Sequence, residues 1–190
     1  LRACVLGTDD SKRADVTDDE MEQMKQLMSD GYRAGALGLS TDHNLIDRDH
    51  DGSLLPSGIA KEEELLELLS VAREFNVGSS EVTPHNLHMG EKEQQLLERY
   101  AEASGRPVIH SVVIHSNHIP DKWKDTLGKI EDSNSRGHRI YGLGAVHRIG
   151  SLFSLFEYNL FADIPAWYDA LACPPEKLLE TLSSVDIRPK

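Results

Sequence analysis

Residues 107–115 read PVIHSVVIH and form the strongest β-branched run of the chain. Val and Ile side chains fit the pleated surface of a sheet, so this run predicts a β-strand. A helical pattern precedes it at 91–103, closed by Gly105, and a second helical pattern follows it at 121–136, closed by Gly137. The order of helix, strand and helix is typical of a βα architecture.

Three further runs repeat this arrangement. They lie near 36–41, 77–83 and 138–144, which gives about 30 to 40 residues for each βα unit. This spacing predicts an α/β fold with parallel strands and right-handed crossovers, in a single partial barrel domain over residues 1–190. The rhythm alone does not distinguish a barrel from an open sheet. Since a TIM-like barrel has eight units and roughly 250 residues, the chain would hold about half of one.

The composition disfavours several classes of partner. The 190 residues include 32 acidic and 20 basic side chains, and the resulting net charge of −12 repels nucleic acid and anionic membranes. The sequence has no apolar run of transmembrane length and no signal-peptide pattern. Cys4 and Cys173 lack a metal-binding spacing, so we expect a reduced, cytoplasmic protein. Because the chain begins at Leu1, we also expect it to be a piece of something longer.

A long acidic stretch, STDHNLIDRDHDGSLLPS at 40–57, directly follows the first predicted strand. It has three possible interpretations: a calcium loop, an active-site loop or a polar turn. The alternating aspartates and the glycine of 47–52 match four positions of an EF-hand loop, but Gly58 stands where the bidentate glutamate belongs. An ordinary acidic turn is therefore favoured over a calcium loop. The position and length of the stretch favour an active-site loop.

The nine histidines raise the question of a metal site, because neutral imidazole is a good zinc ligand. No HxH or HExxH pattern is present, and no histidine is assigned as a ligand; His110 and His115 are the candidates. His85, His88 and His147 also follow predicted strands, so a composite site stays open. GxSxG, Walker and GxGxxG motifs are absent, which disfavours serine hydrolases and nucleotide-binding folds.

One run carries a resemblance to a known family. Residues 34–41, AGALGLST, follow a helix that opens on the capping box TDDE at 17–20. This run resembles a signature of the amidohydrolase superfamily members that include the D-aminoacylases and N-acyl-D-amino-acid deacylases. Further segments are similar to the same family: 47–57, Gly105-Arg106-Pro107-Val108, Trp123 to Ile130, Asn159-Leu160-Phe161 and Pro165-Ala166-Trp167.

The resemblance implies a TIM-like barrel fused to a small β-domain, which hydrolyses an amide-type C–N bond. One or two metal ions, usually zinc, would activate water and polarise the carbonyl. This chain would cover roughly strands four to seven, so the family's first-strand HxH and last-strand aspartate would lie outside it. The two family histidines expected within this region fall on Thr83 and Val112, so they do not carry over.

We therefore expect a segment of a metal-dependent amidohydrolase that acts on an N-acyl amino acid or related amide and is inactive on its own. The alternative is a non-catalytic small-molecule-binding or regulatory module that keeps the fold without the metal site. The exposed edges of a half barrel also predict a homo-oligomer. The candidate pocket-lining residues are Ser40, Thr41, Glu81, His110 and Arg148.

Overall fold

The computed structural model describes residues 1–85, 88–145, 150, 152–159, 161–162, 164–171 and 173–184. The strands are β1 (Ser40–Asp42), β2 (Ser80–Thr83), β3 (Val108–Val113) and β4 (Ile140–Gly144). The helices are α1 (Arg2–Leu6), α2 (Asp18–Arg33), α3 (Pro56–Ile59), α4 (Glu62–Ser70), α5 (Glu91–Ser104), α6 (Lys122–Ser135), α7 (Pro165–Leu171) and α8 (Leu178–Ser183). Short 3₁₀ turns lie at Asp10–Lys12, Val71–Glu74 and Pro175–Lys177.

The chain divides into two compact units. The first, called the sheet unit below, comprises residues 1–45 and 54–148 and contains β1 to β4 with α1 to α6. The second, the C-terminal unit, comprises residues 46–53 and 149–190 and contains α7 and α8. The assignment of residues 1–190 to one domain stays a prediction.

The four strands form one parallel sheet in the order β1-β2-β3-β4. The helices pack in the same order, since α2 contacts α4, α4 contacts α5 and α5 contacts α6. A parallel pair of strands needs a crossover, and α4, α5 and α6 supply the crossovers here. The predicted α/β class with parallel βα repeats is therefore confirmed, and the sheet unit has the arrangement of part of a TIM-like barrel.

Each predicted strand is present and shorter than its sequence pattern, and the first two lack several residues at their start. β1 starts at Ser40 and β2 at Ser80, whereas the patterns start near 36 and 77. Two glycines just before these strands explain the difference. A Cβ atom on Gly38 would lie 1.7 Å from the Ser79 carbonyl oxygen, and one on Gly78 would lie 1.5 Å from the Leu37 carbonyl oxygen.

The two backbones therefore approach too closely at this point for any side chain between them. Gly78 also has φ = +74°, a conformation that other residues rarely adopt. Gly38 is the second glycine of the AGALGLST run. Its presence has a structural reason, because only glycine permits this contact between the chains that enter β1 and β2.

Two apolar clusters stabilise the sheet unit. The first lies between the sheet and the helices α4 and α5; Val82, Val108 and Ile140 contribute from the strands and Leu69, Leu97 and Tyr100 from the helices. The second is formed by α2 against α4 and the turn that follows it, and it contains Met21, Met24, Met28 and Tyr32. The methionine stripe of α2 is thus core, and the predicted capping box at its start is confirmed by bonds in both directions between Thr17 and Glu20.

A buried ion pair ties the beginning of the chain to α4. Arg2 donates from Nε to Glu64 Oε1 at 2.8 Å and from Nη2 to Glu64 Oε2 at 2.9 Å. Its Nη1 also donates to the carbonyl oxygens of Ser11 and Arg13. Both charged side chains are buried, so each needs the other to compensate its lost hydration.

The two faces of the sheet differ in their surroundings. Val82, Val108 and Ile140 point to the helices, and we call this side the covered face. The residues between them point to the opposite side, which we call the open face. There Tyr141 is 56% and Leu143 is 47% exposed, although parallel sheets are normally buried on both sides.

The C-terminal unit has an aromatic cluster of its own. Phe161 stacks on Trp167 with ring centroids 4.6 Å apart and meets Phe153 edge-on at 5.5 Å. The guanidinium of Arg48 lies 5.5 Å from the centroid of the Tyr158 ring. Among the described residues, no helix combines the length and the hydrophobicity needed to span a bilayer.

Candidate active site

The C-terminal edge of the sheet is the first place to look for a site, because parallel βα folds bind ligands beyond this edge. The ends of β1 and β2 meet there in register, with Asp42 opposite Thr83. The His43 amide donates to the Thr83 carbonyl oxygen at 2.8 Å, which extends the pairing by one residue. Polar side chains from the two strand ends are thereby held next to each other.

Four polar side chains lie in two adjacent rows on the open face. Ser40 is paired with Glu81, and Asp42 is paired with Thr83 one pleat nearer to the C-terminal edge. Asp42 Oδ1 accepts from the Asn44 amide at 2.7 Å, so a local turn fixes its carboxylate. These rows bring two carboxylates and two hydroxyls to the side of the sheet that becomes the interior in a closed barrel. Such groups can accept hydrogen bonds from an amide N–H or an ammonium group.

A second cluster, His43, His85 and Tyr100, lies beside the same strand ends. The rings of His43 and His85 have centroids 5.5 Å apart. The Tyr100 hydroxyl and His43 Nε2 form a hydrogen bond of 3.1 Å, and both residues are buried. Because Tyr100 comes from α5, this bond fixes the loop after β1 to the helix layer.

Burial decides the charge of this cluster. The pKa of His43 is lowered to about 4, mainly by burial and to a smaller extent by the nearby His85, while Glu62 opposes the shift. Burial also raises the pKa of the Tyr100 hydroxyl, with a further increase from Glu62. At neutral pH the cluster therefore holds a neutral imidazole and a protonated phenol. Such a pair can exchange hydrogen bonds but does not supply a charged acid or base.

A cavity of about 290 Å³ opens next to this cluster. One wall is the ion pair of Arg99 and Glu62, in which Arg99 Nη2 donates to Glu62 Oε2 at 3.0 Å. The remaining lining residues are His43, Ala60, His85, Lys92, Glu93, Gln95, Leu96 and Tyr100. The cavity thus carries two cationic and two anionic side chains in addition to the imidazoles.

A larger, more apolar cavity of about 350 Å³ lies beside β1. Ser40 and Thr41 line it together with Leu55, Pro56 and Ser57 from the end of the acidic stretch. Leu39, Leu65 and Leu68 supply aliphatic walls. This cavity therefore lies at the outer side of the first strand.

The structure separates the five predicted pocket-lining residues into two groups. Ser40 and Glu81 are paired on the open face. Thr41 and His110 both pair with Val82, so they point to the covered face, and His110 is fully buried there. Arg148 lies outside the described residues. The predicted role of all five in lining a substrate pocket stays a prediction.

The other sequence candidates have local surroundings. His115 is exposed; its Nδ1 lies 3.2 Å from the Pro120 carbonyl oxygen and its Nε2 lies 3.2 Å from Asn117 Oδ1. In the acidic stretch, Asp51 Oδ1 accepts from both the amide and the hydroxyl of Ser53, and Gly52 turns with φ = +81°. This geometry is that of a polar turn. His147, a further member of the possible composite site, lies outside the described residues.

Metal ligands are not gathered in the part of the chain that the structure describes. No group of three or more His, Cys, Asp or Glu side chains there could hold a metal ion. A catalytic zinc site needs about three protein ligands. The described residues therefore do not fit a metal centre by themselves.

Sequence reasoning missed Asp42, His43 and Tyr100. A signal for the first two exists, because they are the last residue of β1 and the residue directly after it. The aspartate-rich middle of the same stretch carries a stronger sequence pattern than these two residues. For Tyr100 there is no local signal, since one buried tyrosine in an amphipathic helix looks like any core residue.

Of three comparisons with known proteins, the comparison with solved structures gave matches. Neither a scan against protein-family models nor a search of curated proteins gave a match. Among solved structures, a crystal structure of D-aminoacylase, described as defining a novel subset of amidohydrolases, superposes with a TM-score of 0.57. It is 23% identical and covers 74% of this chain. The chain has the fold of part of a D-aminoacylase.

Two further D-aminoacylase structures match at the same 23% identity and 74% coverage of this chain. One is a mutant enzyme in complex with copper chloride, with a TM-score of 0.57. The other comes from work on the functional role of the binuclear metal centre, with a TM-score of 0.56. This chain spans only 27% of the length of each of these enzymes. The resemblance to D-aminoacylases that the sequence predicted is thus confirmed at the level of the fold.

Proposed function

We propose that the chain is a segment of an amidohydrolase that cleaves the C–N bond of an N-acyl amino acid or a related amide. The observation that carries this proposal is the shared D-aminoacylase fold over 74% of the chain. The AGALGLST run, which leads into β1 of that fold, supports it. The substrate is then a small amide, and neither nucleic acid nor a membrane is a partner, in line with the net charge of −12.

The open face supplies the groups with which this segment would act. Asp42 and Glu81 place two carboxylates near the C-terminal edge, with Ser40 and Thr83 opposite them in register. In a hydrolase these oxygens would accept hydrogen bonds from the amide N–H of the substrate and hold it in one orientation. His43 and Tyr100, both buried, support the loop that carries Asp42 and are positioning residues in this proposal.

We propose a metal cofactor for the intact enzyme and not for this segment alone. The D-aminoacylase of the comparison has a binuclear metal centre, and a divalent metal, zinc by the family resemblance, is the expected cofactor. Since the described residues do not fit a metal centre, we assign no catalytic step through it to this segment. We accordingly propose that the segment alone binds substrate without turnover. A cytoplasmic location is proposed from the free Cys4 and Cys173 thiols.

The test measures amine release from N-acetyl-D-amino acids and their L enantiomers, with zinc or cobalt added. It compares the 190-residue chain with the protein that is expressed together with its flanking coding sequence. We expect release only by the longer protein, and we expect Asp42→Asn and Glu81→Gln to lower its kcat/KM at least tenfold. Glu176→Gln, an exposed glutamate of the C-terminal unit, is the matched control and should change nothing. Absence of release by the longer protein over the whole panel would refute the proposal.

A second candidate function is non-catalytic binding, which the lack of a metal-ligand group among the described residues favours. Its ligand would occupy the 290 Å³ cavity between His43 and Arg99. Calorimetric titration of the isolated chain with the same amides distinguishes the two. Binding that is lost in Arg99→Gln, but unchanged in Asp42→Asn, would support the binding module over the hydrolase.

A further inference from the structure

The 290 Å³ cavity beside the strand ends is lined by parts of the chain that are far apart in sequence. His43 and His85 come from the segments that follow β1 and β2. Glu62 is the first residue of α4, Ala60 lies just before it, and the rest of the wall belongs to α5. All of these segments lie within the sheet unit. The cavity is therefore built by the packing of this unit and not by one loop.

The helix α5 presents a row of polar side chains to the cavity. Lys92, Gln95 and Arg99 follow one another at steps of three and four residues, so they lie on the same face of the helix. Glu93 lines the cavity as well, and its Oε2 accepts from the Gly90 amide at 2.8 Å. This bond fixes the Glu93 carboxylate at the start of α5.

The cationic groups of the row have donors to spare. Arg99 donates from Nη2 to Glu62 Oε2 at 3.0 Å and from Nε to the other oxygen of the same carboxylate. Because Glu62 engages only these two nitrogens, the two N–H donors on Nη1 are available to a further acceptor. Lys92 is exposed and forms no ion pair with the residues that the structure describes. Its ammonium group is a second donor for an anionic group of a ligand.

The permanent charges of the cavity cancel. Lys92 and Arg99 are cationic, whereas Glu62 and Glu93 are anionic. The buried His43 adds no charge at neutral pH, because its pKa is lowered to about 4, mainly by burial. A simple anion would be attracted by the first pair and repelled by the second, and a simple cation would meet the reverse. A ligand that carries both charges a short distance apart is attracted by both pairs.

The apolar wall and the volume of the cavity restrict the rest of the ligand. Ala60 and Leu96 form an aliphatic wall, and both pack against the main core. The rings of His43, His85 and Tyr100 add flat surface. Cavities that bind small ligands measure roughly 300 to 1,000 Å³. A volume of about 290 Å³ therefore fits one small molecule.

We propose that this cavity binds a free α-amino acid with an apolar side chain. Lys92 and Arg99 donate to its carboxylate, and the carboxylates of the cavity wall accept from its ammonium group. Its side chain lies against Ala60 and Leu96. A free amino acid is also the class of product that hydrolysis of an N-acyl amino acid releases, and this link rests on the proposed function. The cavity then distinguishes product from substrate, since an acylated nitrogen carries no positive charge.

The cavity adjoins the open face but is separate from it. Successive residues of a strand point to opposite sides, so Asp42 faces the open side and the next residue, His43, faces the helix layer. There His43 forms its hydrogen bond of 3.1 Å with Tyr100. An amino acid in the cavity thus contacts the segment that carries Asp42 without occupying the position that we propose for the substrate.

Calorimetric titration of the chain with D-leucine and L-leucine tests the proposal. N-Acetylleucine, which lacks the ammonium group, and leucinamide, which lacks the carboxylate, are the matched ligands. We expect at least one enantiomer of leucine to bind roughly tenfold more tightly than its two derivatives. N-Acetylleucine that binds as tightly as leucine, or the absence of leucine binding, would overturn this inference. Either result leaves the proposed hydrolase standing, because turnover by the longer protein is measured separately.

Variants of the chain locate the bound amino acid. Arg99→Gln should weaken leucine binding roughly tenfold. Lys92→Gln should have a similar effect, and it keeps the fold because this side chain is exposed. Lys124→Gln, at an exposed lysine of α6, is the matched control and should leave the affinity unchanged. Unchanged affinity in both cavity variants would refute the site, and a loss in Asp42→Asn alone would place leucine on the open face instead.

Discussion

The two faces of the sheet use the same strands for different purposes. On the covered face, Val82, Val108 and Ile140 pack against α4 and α5 in the main core. On the open face, the same strands present Ser40, Glu81 and Tyr141 in one row that no helix of the core cluster covers. The alternation of side chains along each strand separates the residues that pack in the core from those that we propose to contact the substrate. Changes to the covered face should therefore affect folding, and changes to the open face should affect binding.

The largest loss of stability should come from a substitution of Gly38, where the chains that enter β1 and β2 lie in contact. Gly38→Ala places a Cβ atom 1.7 Å from the Ser79 carbonyl oxygen, so the two strands must separate and both faces lose their register. We expect a loss of about 5 kcal/mol in the free energy of unfolding, measured by urea denaturation. Gly128→Ala is the matched control, since it lies within α6 with open space around it, and it should stabilise by about 0.5 kcal/mol. Equal effects of the two substitutions would contradict the account.

The next largest effect concerns the ion pair that holds the first helix on the covered side. Arg2→Met leaves the buried Glu64 carboxylate without its partner, and we expect a loss of about 4 kcal/mol. The double variant Arg2→Met with Glu64→Leu removes both charges and should regain most of the stability. Chemical denaturation of the two variants side by side measures the difference. A double variant as unstable as the single one would show that the pair matters for more than charge compensation.

Acid should destabilise the chain through His43, which is buried directly after β1. The pKa of His43 is lowered to about 4 in the folded chain, from an ordinary 6.5, mainly by burial. Between these values the unfolded chain binds a proton that the folded chain does not, so stability falls as the pH falls from 6.5 towards 4. The shift corresponds to a loss on the order of 3 kcal/mol. Thermal unfolding of wild type and His43→Gln across this pH range measures the contribution of His43 to stability. If the stability of both proteins falls equally with pH, the prediction is refuted.

The smallest expected changes in the free energy of unfolding come from shortening one apolar side chain on each face. Val82→Ala removes two buried methyl groups from the main core and should cost about 2 kcal/mol. Leu143→Ala on the open face should change the stability of a single copy by less than about 0.5 kcal/mol. Both values come from urea denaturation at a chain concentration below that of association. The prediction fails if Leu143→Ala is as costly as Val82→Ala.

The sequence predicts the architecture well because local patterns carry it. The β-branched run at 107–115 and the capping box at 17–20 specify a strand and a helix start without distant information. The alternation of elements then requires parallel strands. The sequence patterns overestimate the lengths of β1 and β2, since the contact between Gly38 and Ser79 joins residues far apart in sequence and has no local signature.

The candidate site was less predictable for the same physical reason. His43 and Tyr100 meet only because the loop after β1 packs on α5, and the Arg2–Glu64 pair joins α1 to α4. The face of each strand residue also depends on register. Ser40 and Thr41 were both proposed as pocket residues from their position at a strand end, yet they lie on opposite faces.

Hydroxyl-radical footprinting of the intact chain, read by mass spectrometry, tests most directly the claim that the sheet is covered on one face only. At a chain concentration below that of association, Tyr141 and Leu143 should be labelled strongly, whereas the buried Tyr100 and Val82 should be protected. Strong protection of Tyr141 in the isolated monomer, or labelling of Tyr100 equal to that of Tyr141, would contradict the account.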